Sequence, residues 1–136
     1  GKNPFVVNSS EEYEHFLKFI FHKQVPMPWP VRSVLERKWI QDNPFNLKMW
    51  DDIMENFYSE EDSLNLLHLL QMPTLIVWAN KDRIIHISSV EVYKKHLPGA
   101  KIVIMENCGH VPFVELPKES AEHYTQFLQQ VSTGDS

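Results

Sequence analysis

Two short apolar runs, each of which breaks into a polar loop, constrain the fold of this chain more than any other feature. The first run covers residues 74–79 and leads into Asp82, and the second covers 101–105 and leads into His110. Each run is continuous and rich in apolar or β-branched residues, as in parallel strands that are buried on both faces. The segment between them has the length of a helix, which predicts a parallel strand–helix–strand unit with a right-handed crossover. Since ligands bind just beyond the carboxyl ends of such strands, Asp82 and His110 are expected to lie close together.

Residues 1–71 show helical periodicity and proline breaks, with no strand signal. Ser9 and Glu12 form a capping-box signature ahead of apolar residues at helical spacing, which predicts a first helix. Three prolines within residues 26–30 end that helix before Val25. Further helices are predicted over residues 31–41, 47–58 and 63–70, with Leu64, Leu67, Leu69 and Leu70 turned toward a core. In the second half, helices are predicted from Ser88 or Ser89 to about His96 and over 117–130.

Two motifs carry a family resemblance, MPTLIVWANKD at residues 72–82 and ENCGHVPFVELP at residues 106–117. In this region, residues 71–131, the chain resembles the C-terminal end of an α/β-hydrolase. Members of that family show P-T-hydrophobic-x-x-W-G-x-x-D at one strand end and GH-x-x-x-x-E-x-P after the next, and the departure here is Ala79 in place of glycine. The most similar branches are monoacylglycerol-lipase-like and ring-cleavage hydrolases.

The resemblance implies an α/β fold in three parts. Residues 1–71 would form a helical cap or lid, residues 72–131 the C-terminal part of the hydrolase core as a parallel β-α-β-α unit, and residues 132–136 a tail. Because two parallel strands alone make a poor sheet, further strands are expected from outside the chain. They would come from a missing N-terminal half of the same protein or from a second copy of the chain.

The resemblance also implies a triad in the chain order Ser, Asp or Glu, then His. Asp82 would be the acid and His110 the base, because imidazole takes up and returns a proton near neutral pH. The expected G-x-S-x-G elbow is absent, since none of the glycines at positions 1, 99, 109 and 134 flanks a serine at that spacing. The chain is therefore expected to be a fragment that is inactive alone, with its nucleophile and oxyanion donors elsewhere.

The parent enzyme is expected to hydrolyse a small carboxylic ester with a hydrophobic acyl part. An epoxide hydrolase or a carbon–carbon-bond hydrolase of the same fold remains an alternative, and so does a non-catalytic hydrolase-like binding module. No cofactor or metal is implied, since His15 and His22 lack a third residue at ligand spacing. Cys108 is expected to be a small buried residue rather than a nucleophile, and Glu115 is expected to tie down the loop by hydrogen bonding.

Charge and composition limit the classes of partner that the chain is expected to bind. A formal net charge of −5 argues against a nucleic-acid-binding protein, which needs clustered Lys and Arg. No apolar run reaches the roughly 18 residues of a membrane span, and no signal peptide begins the sequence. A cytoplasmic location is favoured, with export left open. The first half is rich in aromatic residues, which indicate helix packing or, as alternatives, an acyl-binding wall or peripheral contact with a membrane.

Overall fold

The computed structural model describes residues 3, 5–56 and 60–134, and the side chains of 60–63 are outside that description. Four helices come first: α1 (Ser10–Ile20), α2 (Trp29–Gln41), α3 (Asn43–Glu55) and α4 (Glu60–Leu67). The second half contains β1 (Leu75–Ala79), α5 (Ser89–His96), β2 (Lys101–Met105), α6 (Pro112–Glu115) and α7 (Pro117–Thr133). The predicted α/β class and the predicted β-α-β unit are therefore confirmed.

The two strands form a parallel sheet in which Leu75 is paired with Lys101 and Ala79 with Met105. The sheet is buried most deeply at its carboxyl edge, where Ala79 and Met105 form a small core with Cys108. Backbone hydrogen bonds continue past the last strand residues, because the Asn80 N–H donates to the Met105 carbonyl at 3.0 Å. Both strands thus deliver their following loops to the same edge of the sheet.

A second core lies in the helical half of the chain, around α1. Val7, Tyr13 and Phe16 are buried there, and the ring centroid of Phe16 lies 4.4 Å from that of Trp39 in α2. Burial of each such side chain contributes about 1.5–3 kcal/mol, so these contacts hold α1 against α2. Ser9 caps α1 by accepting from the Glu12 N–H at 3.2 Å. The return half of the predicted capping box is shifted by one residue, since the Glu12 carboxylate accepts from the Asn8 N–H at 2.8 Å.

Several predicted helix boundaries were wrong, and proline explains two of them. Helix α2 begins at Trp29 rather than residue 31, and α3 begins at Asn43 rather than residue 47. Pro30 and Pro44 lie in the first turns of these helices, where a backbone N–H has no intrahelical partner and its loss costs little. Residues 43 and 44 therefore belong to α3, and Asp42 alone connects α2 with α3.

The remaining differences lie at helix ends. The predicted end of the third helix at Tyr58 lies outside the described residues. Helix α4 ends at Leu67, which leaves Leu69 71% exposed rather than in a core. Helix α6 was not predicted, and α7 extends to Thr133, beyond the predicted end at Gln130.

The helical half also exposes large apolar side chains. Trp29 is 79% exposed and Phe45 is 68% exposed, and neither α2 nor α3 has a fully buried apolar residue. Among the described residues, no helix is long and apolar enough to cross a membrane. The division into cap, core and tail, the partner half or second copy, and peripheral membrane contact all stay predictions.

Candidate active site

Asp82 lies three residues past the end of β1, in a loop that closes on itself. Its Oδ1 accepts hydrogen bonds from the backbone N–H groups of Ile84 at 2.8 Å and Ile85 at 3.0 Å. The Asp82 side chain is only 6% exposed. One carboxylate oxygen is thereby fixed by the loop itself, and Oδ2 is left to point at another group.

That group is His110, whose Nδ1 lies 2.9 Å from Oδ2 of Asp82. An ionised carboxylate can only accept a hydrogen bond, so Nδ1 carries the proton in this pair. Nε2 of the neutral ring then presents a lone pair, as a general base requires. The His110 side chain remains 35% exposed, so this ring can be reached by a substrate. The sequence placed these two residues together correctly, and their catalytic roles stay a prediction.

The loop that carries His110 is held by the end of α1. The His110 N–H donates to the Ile20 carbonyl at 2.8 Å. The Glu115 carboxylate accepts from three backbone N–H groups, those of Gly109 at 2.7 Å, Lys23 at 2.8 Å and His22 at 3.1 Å. Hydrogen bonds to an ionised acceptor are about twice as strong as neutral ones. The predicted tying role of Glu115 is confirmed, and the structure extends it from the loop to α1.

Gly109 is required for this close approach of backbone to backbone. A Cβ at this position would lie 2.5 Å from the Ile20 carbonyl oxygen and 2.6 Å from both the His22 nitrogen and a Glu115 carboxylate oxygen. These distances are shorter than Cβ contacts in real proteins, and two of the three atoms belong to the backbone. Any larger residue would therefore push the loop that carries His110 away from α1.

Asn80 bridges the two strand-end loops, a role that the sequence analysis did not assign. Its Oδ1 accepts from the Asn107 N–H at 2.8 Å, and its Nδ2 donates to the Glu106 carboxylate. Asn107 has a positive φ of 52°, a conformation that asparagine tolerates better than most residues. The sequence carries only a weak signal for this bridge, namely that residues 80 and 107 are both asparagine. Asparagine is common in loops for other reasons, so its presence does not predict a contact.

A largely apolar cavity of about 680 Å³ opens beside His110. Helices α1 and α2 form part of its wall, including Phe16, Leu17 and Trp39. Phe21 follows α1, and Ile84 and Val111 come from the two strand-end loops. The imidazole therefore borders a space that suits a hydrocarbon chain. The aromatic residues of the first half thus contribute both to helix packing and to this wall.

Cys108 is a buried residue and not a nucleophile, which agrees with the expectation from the sequence. The residue is fully buried, and burial, together with the nearby carboxylates of Glu115 and Glu119, raises the pKa of its thiol to about 11. The thiol therefore stays protonated near neutral pH, whereas the nucleophilic form is the thiolate. Within residues 3, 5–56 and 60–134, no group of three His, Cys, Asp or Glu side chains is arranged to hold a metal ion.

Comparison with known proteins gives the family. Residues 13–117 match the model of the α/β hydrolase fold family. The chain belongs to this family. Lipase 1 of Psychrobacter immobilis is 31% identical over 125 residues, which cover 92% of this chain and 39% of the lipase. A monoacylglycerol lipase of Xenopus laevis, abhd6-B, is 28% identical over 98% of this chain and 39% of its own length.

Solved structures agree with the sequence relatives. A membrane phospholipase A described as a bacterial virulence factor superposes with a TM-score of 0.90 at 36% identity, covering 97% of this chain and 42% of its own. The candidate lipase lip1 of Acinetobacter baumannii gives a TM-score of 0.88 at 26% identity, covering 96% of this chain and 45% of its own. The chain thus spans about two fifths of the length of the curated relatives that it matches.

Proposed function

We propose that this chain supplies the acid and the base of a serine-type hydrolase that cleaves carboxylic esters with a hydrophobic acyl part. The observation that carries the proposal is the 2.9 Å contact between Nδ1 of His110 and Oδ2 of Asp82 at the carboxyl edge of a parallel sheet. The nucleophilic serine would lie outside these 136 residues, because no glycine pair here flanks a serine at elbow spacing. The lipase names of several relatives support an ester as the bond that is cleaved.

Each group in the pair has a distinct task. Nε2 of His110 takes the hydroxyl proton as the serine oxygen attacks the ester carbonyl, and it then gives that proton to the departing alcohol. Water repeats the same cycle on the acyl-enzyme and releases the acid. Asp82 holds the Nδ1–H tautomer and stabilises the imidazolium that forms at each step. Both Asp82 oxygens are already hydrogen-bonded, so little reorganisation is needed when the ring becomes charged.

The apolar cavity gives the acyl chain its place. Because His110 is part of the wall, an ester carbonyl near Nε2 could lie with its hydrocarbon chain between α1 and α2. Burial of each methylene there contributes about 0.8 kcal/mol. A longer acyl chain should therefore lower KM until the cavity is filled.

The test uses the complete gene product that contains this chain, with the isolated 136-residue chain beside it. The complete protein should hydrolyse p-nitrophenyl butyrate, and the isolated chain should not. His110→Ala should lower kcat by at least about a thousandfold, because loss of one triad member leaves only the oxyanion hole and substrate binding. His123→Ala, which changes a histidine of α7, is the matched control and should leave kcat within about twofold.

Three results would contradict the proposal. Turnover by the complete protein that survives His110→Ala would remove the base from the mechanism. Turnover by the isolated chain that survives Cys108→Ala but not His110→Ala would mean that another nucleophile lies within the 136 residues. Hydrolysis of an epoxide or a carbon–carbon bond, with no ester turnover, would mean that Asp82 and His110 serve one of the alternative reactions.

A further inference from the structure

A second cavity, of about 630 Å³, lies beside the apolar one and has a very different charge. Its lining contains four cationic side chains, those of Lys18, Lys23, Arg32 and Arg83, and one acidic side chain, that of Glu14. The whole chain carries a formal net charge of −5, with 13 Lys and Arg against 18 Asp and Glu. A local excess of positive charge in an acidic protein indicates a place where negative charge is bound.

Some of these cations already have partners and others do not. Arg32 forms an ion pair with Glu14. Arg83 donates from Nη1 to the Lys18 carbonyl at 2.6 Å, which fixes the guanidinium against the last turn of α1. Neither Lys18 nor Lys23 forms a side-chain ion pair within the described part of the chain. After the Arg32–Glu14 pair is set aside, a surplus of three positive charges faces the cavity.

His22 adds an unfilled hydrogen-bonding group to the same wall. Its Nδ1 is buried and has no hydrogen-bond partner among the described residues. A buried polar atom without a partner costs about 1–3 kcal/mol, so such atoms are uncommon in folded proteins. An oxygen-rich ligand in this cavity would supply acceptors to the cations around it, and the unpaired His22 nitrogen shows that the polar groups of this wall are not all satisfied within the described part of the chain.

The basic cavity is continuous with the candidate active site. Leu17, Phe21, Val25 and Met27 line both this cavity and the apolar cavity that contains His110. Arg83 also follows Asp82 directly in the sequence. A molecule with its ester at His110 and its acyl chain in the apolar cavity could therefore extend a polar group past these four side chains into the basic cavity.

We propose that the basic cavity binds the phosphate-bearing head group of the substrate, so that the preferred esters are acylated glycerophosphates rather than neutral glycerides. Phosphate is favoured over a single carboxylate because it offers several strong acceptor oxygens to the three remaining cations, one guanidinium group and two ammonium groups. This inference rests on the proposed ester hydrolysis and specifies its substrate class.

The test compares two dissolved, monomeric esters that differ only in the phosphate, dihexanoyl glycerol and dihexanoyl phosphatidate. The complete enzyme and its Lys18→Gln/Lys23→Gln variant are assayed on both. The variant should lose about tenfold in kcat/KM on the phosphatidate, the effect of one charge-assisted hydrogen bond, mainly through KM. On the neutral ester it should stay within twofold. Lys95→Gln/Lys118→Gln removes two exposed lysines elsewhere and should change neither rate.

Binding of glycerol phosphate to the complete enzyme, measured by calorimetry, gives a readout that needs no turnover. Its Kd should rise about tenfold in the Lys18→Gln/Lys23→Gln variant. Equal loss on both esters, or no loss on either together with an unchanged Kd, would overturn the head-group site. If the variant bound anionic vesicles more weakly but kept both monomeric rates and the Kd, the cations would serve membrane docking and the proposal would be wrong. Absence of turnover on both esters would overturn the ester-hydrolase proposal, while the calorimetry would still decide the head-group site.

Discussion

The two loops that meet at the candidate active site are held in different ways. In the acid loop, residues 80–85, the Asp82 carboxylate is fixed by its own turn, since Oδ1 accepts from the N–H groups two and three positions later, while Asn80 and Lys81 tie the loop to residues 107 and 108. The base loop, residues 106–111, is organised from outside. It hydrogen-bonds to the Ile20 carbonyl and to the Glu115 carboxylate, which also holds the N–H groups of His22 and Lys23.

This difference separates two requirements of the site. The Asp82 carboxylate is oriented by a local turn, whereas the position of His110 depends on the end of a helix some 90 residues earlier in the chain. A change in α1 can therefore reach His110 without touching it. The helical half would then do more than cover the substrate, because it would also set the geometry of catalysis.

The largest expected effect tests the acid loop. Asp82→Asn keeps an oxygen that can accept from Ile84 and Ile85, so the free energy of unfolding should change by less than about 1 kcal/mol. The new amide would donate toward Nδ1 of His110 and favour the wrong tautomer, so kcat should fall by about 10⁴-fold. Ester turnover and urea unfolding of the complete protein measure the two quantities. Asp51→Asn, an exposed change on α3, is the control.

A large loss of stability in Asp82→Asn would mean that the carboxylate charge, and not only the local turn, holds the acid loop. A small loss of kcat with unchanged stability would mean instead that the carboxylate does not act on the base.

Gly109→Ala tests the base loop and should have the next largest effect. The added methyl group would meet the Ile20 carbonyl and the His22 nitrogen at distances that force the backbone apart. We expect a loss of about 2–3 kcal/mol in unfolding free energy. Gly99→Ala is a matched control, because a Cβ there would meet nothing within 4 Å. Similar unfolding curves for the two variants would contradict the close contact between α1 and the base loop.

Glu115→Gln tests the same contact without changing its shape. The amide keeps one oxygen but replaces the other with a donor that faces backbone N–H groups, so we expect about 1–3 kcal/mol of destabilisation. We expect a large fall in kcat and only a small change in KM, because His110 is displaced while the apolar cavity keeps its shape. Glu119→Gln, on the exposed side of α7, should change the unfolding free energy by less than about 0.5 kcal/mol. Comparable effects of the two substitutions would mean that Glu115 does not hold the loop.

The sequence allowed the sheet and the acid–base contact to be predicted because both follow from local pattern. The limits of β2 were predicted correctly, and β1 begins one residue later than predicted, because continuous apolar runs mark buried parallel strands. Asp82 and His110 could be placed together because parallel strands deliver their loops to one edge. The docking of α1 on residues 109–110 could not be predicted, since it joins backbone atoms, which leave no pattern in side-chain type.

The helical half was predicted less well for a related physical reason. Pro30 and Pro44 were interpreted as helix breakers, although proline is equally compatible with the first turn of a helix. Which of the two applies depends on how the neighbouring helices pack. The exposure of Leu69 and the short helix α6 likewise follow from tertiary contacts rather than from local periodicity.

The last expected effect comes from Cys108, a buried residue of the base loop, and it appears only at high pH, so it is the smallest of the four at neutral pH. Burial raises the pKa of this thiol from its ordinary value of 9.0 to about 11 in the folded protein. Between these values the unfolded chain binds fewer protons than the folded one, so stability falls as the pH rises. Relative to Cys108→Ala, the wild-type protein should lose on the order of 2 kcal/mol between pH 9 and pH 11. The raised pKa of Tyr13 acts equally in both proteins and cancels in the difference.

Urea unfolding of the wild-type protein and of Cys108→Ala at several pH values measures that difference. A constant difference across the range would mean that the thiol reaches solvent in the folded state, and that the base loop is less tightly closed over it than its contacts with Glu115 and α1 imply.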